Sequence, residues 1–220
     1  AGDFTRAVGT AAGQAQFTGT GGFAAVGANR TVNLGGAVAP LTWGAAGFLP
    51  DAAALILATP TATGTLTFAN PIALGGTAIT VRALQVENGT ATEDAVMTGA
   101  LSGPARLNLN GTANFVQLGG NNSGFTGDIT VASTGSLGIN QNNALGTGAL
   151  TLTGAATLDN FSGAPVVVAG GTTVNFNNNF AFGGTGALDF GARNFTGAAA
   201  RTITVGGTQA LRIGGAINLG

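Results

Sequence analysis

The chain has 220 residues, of which 45% are hydrophobic and only 7% are charged, with a formal net charge of −1. It has no Cys, His or Tyr, and its seven basic residues are all Arg; this excludes disulfide frameworks, Cys- or imidazole-ligated metals, Ser–His–Asp triads, and Schiff-base or phosphate-loop lysines. Disordered chains are poor in apolar residues and rich in charge, and a bilayer span needs about 18 consecutive apolar residues, so a chain with 40 Gly, 31 Thr and 19 Asn and no such run reads as all-β with many turns.

Residues 1–50 are the least regular part. Short strands are expected at Phe17 and near Phe23–Val26, then at Thr31–Leu34 and in the Leu41–Gly44 segment that carries the only Trp, Trp43. Leu49-Pro50-Asp51 is a turn signal. Ala52–Ala58 fits one helical turn or a strand, and the Thr alternation after it favours strand. The following runs end in the turn residues Asn70-Pro71 and Asn88-Gly89.

Ile129–Asn160 organises the rest. It divides into two similar halves, each with two short alternating runs joined by a small-residue corner containing Gly135 or Gly154. Neither half can bury its apolar face alone, whereas stacked halves can, which is the logic of a solenoid. The first apolar residues of the recurring strands are taken as Val32, Leu55, Ile79, Ala95, Leu107, Ile129, Leu150, Val166, Leu188 and Ile203. Their mean spacing of about 19 residues suits one coil, although the step from Ala95 to Leu107 is too short for one. The chain is therefore expected to be a single β-solenoid over residues 1–220, with about 10–11 coils of about 20 residues and a length of roughly 50 Å. Phe176, Phe180, Phe182, Phe190 and Phe195 are expected to form an aromatic stack in the core. Asn177-Asn178-Asn179 fits either an asparagine ladder at a bend or a solvated loop.

The run GSLGINQNNALGTGALTLTGAATLDN closely resembles the autotransporter-associated β-strand repeat, with its signature at Asn143–Gly148 and Leu150–Gly154. The specific resemblance covers about Leu107–Phe161. It implies a right-handed parallel β-helix in a large exported bacterial protein, similar to autotransporter passengers and surface adhesins. It implies a secreted or cell-surface location and brings no catalytic residue. No translocator barrel has a counterpart in these 220 residues.

Few residues suit chemistry. The acids are Asp3, Asp51, Glu87, Glu93, Asp94, Asp128, Asp159 and Asp189. A carbohydrate-cleaving pair needs carboxyls about 5–10 Å apart. Asp128 and Asp159 flank the repeat but need not share a face. Glu87, Glu93 and Asp94 are the candidate calcium ligands, since Ca²⁺ prefers oxygen donors, but their spacing matches no known calcium loop. Thr61, Thr63, Thr65 and Thr67 form one alternating row that could order water or bind ice if it were part of an array. Scattered arginines make no nucleic-acid patch. The expectation is a protein that is not an enzyme and uses no cofactor: an extracellular structural segment of a stalk, fibre or filament. Without evident polar caps, and with no Lys to guard its edge strands, it is expected to stack end to end or to continue into covalent neighbours. The alternative is an adhesin or carbohydrate-binding module that takes surface glycans, with Trp43 as its best candidate residue.

Overall fold

The computed structural model describes residues 2–112, 115–132, 134–171 and 173–220. Every named element is a short strand, every ladder between named strands is parallel, and there is no helix among the described residues. The strands are numbered β1–β23 in chain order. One sheet has nine: β1 (Gly21–Phe23), β4 (Ala54–Leu57), β7 (Val81–Gln85), β10 (Arg106–Asn110), β12 (Ile129–Val131), β14 (Leu150–Leu152), β17 (Thr173–Phe176), β20 (Asn194–Gly197) and β23 (Ile217–Leu219). A second has eight: β2 (Arg30–Val32), β5 (Leu66–Phe68), β8 (Ala95–Met97), β11 (Val116–Leu118), β13 (Ser136–Ile139), β15 (Thr157–Asp159), β18 (Phe180–Phe182) and β21 (Ile203–Val205). The third side is split into β3 (Leu41–Thr42), β6 (Ile72–Ala73) and β9 (Leu101–Ser102), and later β16 (Val166–Val167), β19 (Leu188–Asp189) and β22 (Leu211–Arg212). The chain visits the three sides in rotation, so the architecture is the expected all-β parallel solenoid.

The coils are fewer and longer than expected. In the first sheet, Gly21 pairs with Leu55 and Leu55 with Leu84, steps of 34 and 29 residues. From Leu107 the row runs through Ile129, Leu150, Val174, Phe195 and Ile217 in steps of 21 to 24. Nine rungs about 4.8 Å apart span about 40 Å, not 50. The sequence alignment failed because strands on all three sides begin alike. Val32, Ala95 and Ile203 belong to the second sheet and Val166 and Leu188 to the third side, while Ile79 lies in a turn and is 82% exposed. Leu55, Leu107, Ile129 and Leu150 do share the first sheet.

Alternation builds the core. In β12 and β14, Ile129, Val131, Leu150 and Leu152 point inward and are buried, while Thr130 and Thr151 stay half-exposed. Register stacks these residues on like residues of the next rung, and each buried aliphatic side chain contributes about 1.5–3 kcal/mol. The expected phenylalanine cluster is present, but its rings meet tilted or edge-on rather than stacked. Phe176–Phe180, Phe176–Phe195 and Phe190–Phe195 have centroids 5.8, 5.9 and 5.2 Å apart. Such offset geometry suits the ring quadrupole. Ala54–Leu57 is the strand favoured over a helical turn.

The NALGTG motif forms the third side of its coil without a strand. Gly146 N–H donates to Asn143 O, and Thr147 N–H donates to Phe125 O on the preceding coil. Ala144 and Leu145 are buried beneath. Gly146 has φ +65°, and a Cβ at Gly148 would come within 2.1 Å of Gly127 O. The motif's two glycines therefore serve, respectively, a left-handed turn and the close approach of neighbouring coils.

Candidate functional site

The corners use polar side chains to join one coil to the next. Asn29 Oδ1 accepts Thr65 N–H, Asp128 Oδ1 accepts Ala149 N–H, Asn179 Oδ1 accepts Thr202 N–H and Asn194 Oδ1 accepts Ala216 N–H. In each case a residue at the start of a strand caps the N–H beside the start of the next strand in the same sheet. Asn178 and Asn179 thus lie at a corner, with Asn177 and Asn179 exposed and Asn179 used as a cap, not in a ladder. Three further asparagines are buried at the turn into the third side. Asn70 bonds Leu34 N–H and the carbonyls of Leu34 and Ala39, Asn122 bonds Leu101 N–H and Ala144 O, and Asn160 bonds the carbonyls of Ala164 and Ala187. The backbone groups that the corners would leave orphaned are thereby satisfied.

The carboxylates are dispersed over this framework. Asp3 caps Thr31 N–H. Asp128 opens a strand of the first sheet and lies 3.6 Å from Arg106, whereas Asp159 closes a strand of the second. Asp159 is buried, takes Thr185 N–H and Asn160 N–H on Oδ1, and accepts the Thr185 hydroxyl on Oδ2 at 2.7 Å. Glu87 accepts Gln85 Nε2 and the Thr112 hydroxyl, and these bonds hold its carboxyl below the usual glutamate value. Asp94 is buried and accepts Gly89 N–H, while Glu93 lies half-buried beside it. The three calcium candidates therefore share a connection, but Glu87 and Asp94 face separate donors. Among the described residues no group of three or more His, Cys, Asp or Glu is placed to hold a metal ion.

Trp43 is not an exposed platform. It is 4% exposed, its indole N–H donates to Pro50 O, and its ring meets Phe48 edge-on at 6.1 Å. Beside it the Arg82 guanidinium lies 5.8 Å from the ring centroid and 2.9 Å from Asp51, at the edge of a groove of about 590 Å³. The Thr61–Thr67 row is also broken. Only Thr67 lies in a strand, Thr61 bonds Thr59, and Thr63 accepts Gly27 N–H. A real polar row runs elsewhere, along the outside of the first sheet: Asn108, Thr130, Thr151, Asn175, Thr196, Asn218. Asn175 Nδ2 donates to Thr151 and the Thr196 hydroxyl donates to Asn175 Oδ1. These residues are more than 20 apart in sequence, so no local pattern reveals them.

The ends of the rod differ from its middle. On the last rungs, inward-row residues lose their cover: Val205 is 60%, Ile217 51% and Leu219 43% exposed. The partners of Val205 and Ile217 one rung earlier, Phe182 and Phe195, are 1% and 0% exposed, while Leu219 follows the half-buried Gly197. Around the first strands, Phe4 and Phe23 lie 5.1 Å apart beside Val26, which is 58% exposed, in a groove of about 290 Å³. No helix among the described residues is long and apolar enough to cross a membrane. No family model, curated protein or solved structure matches the chain.

Proposed function

We propose that the protein is a structural spacer, a β-solenoid segment of a bacterial surface stalk, fibre or filament whose last rung is covered by a further coil of the same kind. The observation that carries this reading is the exposure of Val205 and Ile217 on rows that are buried one rung earlier, with Leu219 also exposed on the last rung. An open rung offers both unpaired backbone groups and apolar side chains, a template for parallel extension. The half-buried phenylalanines around the first strands offer a complementary apolar surface. Contact between unlike ends that does not close on itself generates a filament. The resemblance of the Asn143–Gly154 run to the autotransporter-associated repeat supports the location, and the dispersal of the carboxylates into structural bonds accords with a non-enzymatic role.

For the chain in isolation the covering coil comes from a second copy. Sedimentation and electron microscopy over a rising concentration series should show end-to-end rods. Ile217→Arg together with Leu219→Arg should return the particles to single units of about 40 Å. Single units throughout the series for the unaltered chain would refute stacking.

A further inference from the structure

We infer that the outer face of the second sheet holds a binding groove for a neutral oligosaccharide, centred on Phe115 and Phe161. This site is separate from the rod ends and does not depend on the spacer reading. Phe115 stands just before β11 and Phe161 just after Asn160 at the end of β15, with β13 between these two strands. Their rings nevertheless meet, with centroids 4.5 Å apart at 72°, and neither is fully buried. Two phenylalanines placed edge to face on the outside of a solenoid do not serve its core. They sit in a groove of about 590 Å³ with Ser136, Thr157, Asp159 and Thr185.

The chemistry of the lining selects the ligand. Aromatic rings take the apolar C–H face of a sugar, while hydroxyls and a carboxylate exchange hydrogen bonds with its hydroxyl groups. No basic side chain lines the groove, and Asp159 carries negative charge, so an anionic ligand is disfavoured. Asp159 has capacity left. An ionised carboxylate offers about four acceptor sites, and three are used, two on Oδ1 and one on Oδ2. Gly183 packs against that oxygen, where a Cβ would come 2.3 Å from Asp159 Oδ2. Along the same outward row, Gln117 pairs with Gly138 and Gly138 with Asp159. The Nε2 of Gln117 is buried without a hydrogen-bond partner, in a side chain that is 3% exposed. An unused donor and a spare acceptor thus stand two rungs apart on one row of the second sheet, and Asp159 also lines the groove.

The test is an NMR titration of the whole 220-residue chain with cellohexaose, mannohexaose, isomaltohexaose and, as the anionic arm, hexagalacturonate. At least one neutral hexasaccharide should shift the signals of Phe115, Ser136, Thr157 and Phe161 at millimolar concentration or below. Phe161→Ala should weaken that binding about fivefold to tenfold. Ser136→Arg, a surface change that fills the cleft without touching the core, should abolish it and guards against loss of fold in the first variant. Failure of all three neutral sugars, tighter binding of the galacturonate, or neutral binding that survives Ser136→Arg would overturn the assignment.

Discussion

Two buried arginines show how far context decides what a charge does. Arg82 occupies an inward position of β7, in register with Leu107, yet each nitrogen of its guanidinium has a partner. Nε donates to Leu74 O, Nη1 to Asp51 O, and Nη2 pairs with the Asp51 carboxylate. Arg193 is as deeply buried, but only Nη2 has partners, Ala169 O at 3.1 Å and Gly146 O at 3.4 Å, while Nε and Nη1 have none. Burial pushes its guanidinium below the usual arginine value. Removing a well-bonded buried cation forfeits charge-assisted bonds, whereas removing a poorly bonded one relieves desolvation. Arg82→Met should therefore destabilise the fold by about 3 kcal/mol, and Arg193→Met should be neutral or stabilising. Urea unfolding of both variants checks the contrast, and equal losses would contradict it. The sequence could not distinguish the two, because their partners are carbonyls from distant coils. Nor could it show that Trp43 is covered, since the turn that folds Pro50 and Phe48 over the indole is set by tertiary packing.

At the scale of the element, the strands were legible and their assignment to sides was not. Alternation in ITV and LTL revealed one buried face, and β12 and β14 bear this out. A period of two is the same on every side of a three-sided coil, so it cannot say which side a strand occupies. The corner caps were written in the sequence as Asn or Asp next to a strand start, but they read there as turn residues or candidate acids. The pairing of β19 with β22 adds a charge to this pattern: Arg212 donates to Asp189 Oδ2 at 2.6 Å. The Arg212 bond, followed by Gly191 N–H, lowers the Asp189 carboxyl below the ordinary aspartate value of 3.8. A depressed native value makes the unfolded chain bind the proton more tightly, so the stabilisation is present above that ordinary value and is lost as pH falls through the native one. Arg212→Gln should lower stability at pH 7 and make no difference near pH 2, as read by thermal melts of both proteins across that range. A difference that persists in acid would mean that Arg212 acts through packing alone. Nothing local in the sequence pairs residues 189 and 212; the coil period must be known first.

Across the whole molecule, contacts run mainly from each rung to the next, so stability is close to a sum over neighbouring coils and unfolding need not be all-or-none. The solenoid class follows from the repetition, which local patterns carry well. The coil number does not, because the N-terminal coils lengthen to 34 and 29 residues where turns such as Leu49–Asp51 are inserted. The groove at Phe115 and Phe161 was equally hidden, since it joins residues two coils apart. The middle rungs, β10 to β15, have covered neighbours on both sides, whereas β21 and β23 have a neighbour on one side only and expose their inward apolar residues. A rung with one neighbour has half the stacking to hold it closed, so amide exchange should be fastest in Ile203–Leu219 and slowest in β10, β12 and β14, with protection rising from the last rung towards the middle. The double change at Ile217 and Leu219 should leave the direction of this gradient unaltered in dilute solution, because in the single unit these side chains, 51% and 43% exposed, belong to the rung that already opens first. At concentrations where rods form, the unaltered chain should gain protection at β21 and β23 while the doubly changed chain does not. Uniform exchange along the rod at every concentration would mean that the coils open as one unit and that the last rung is held by something other than a stacked neighbour.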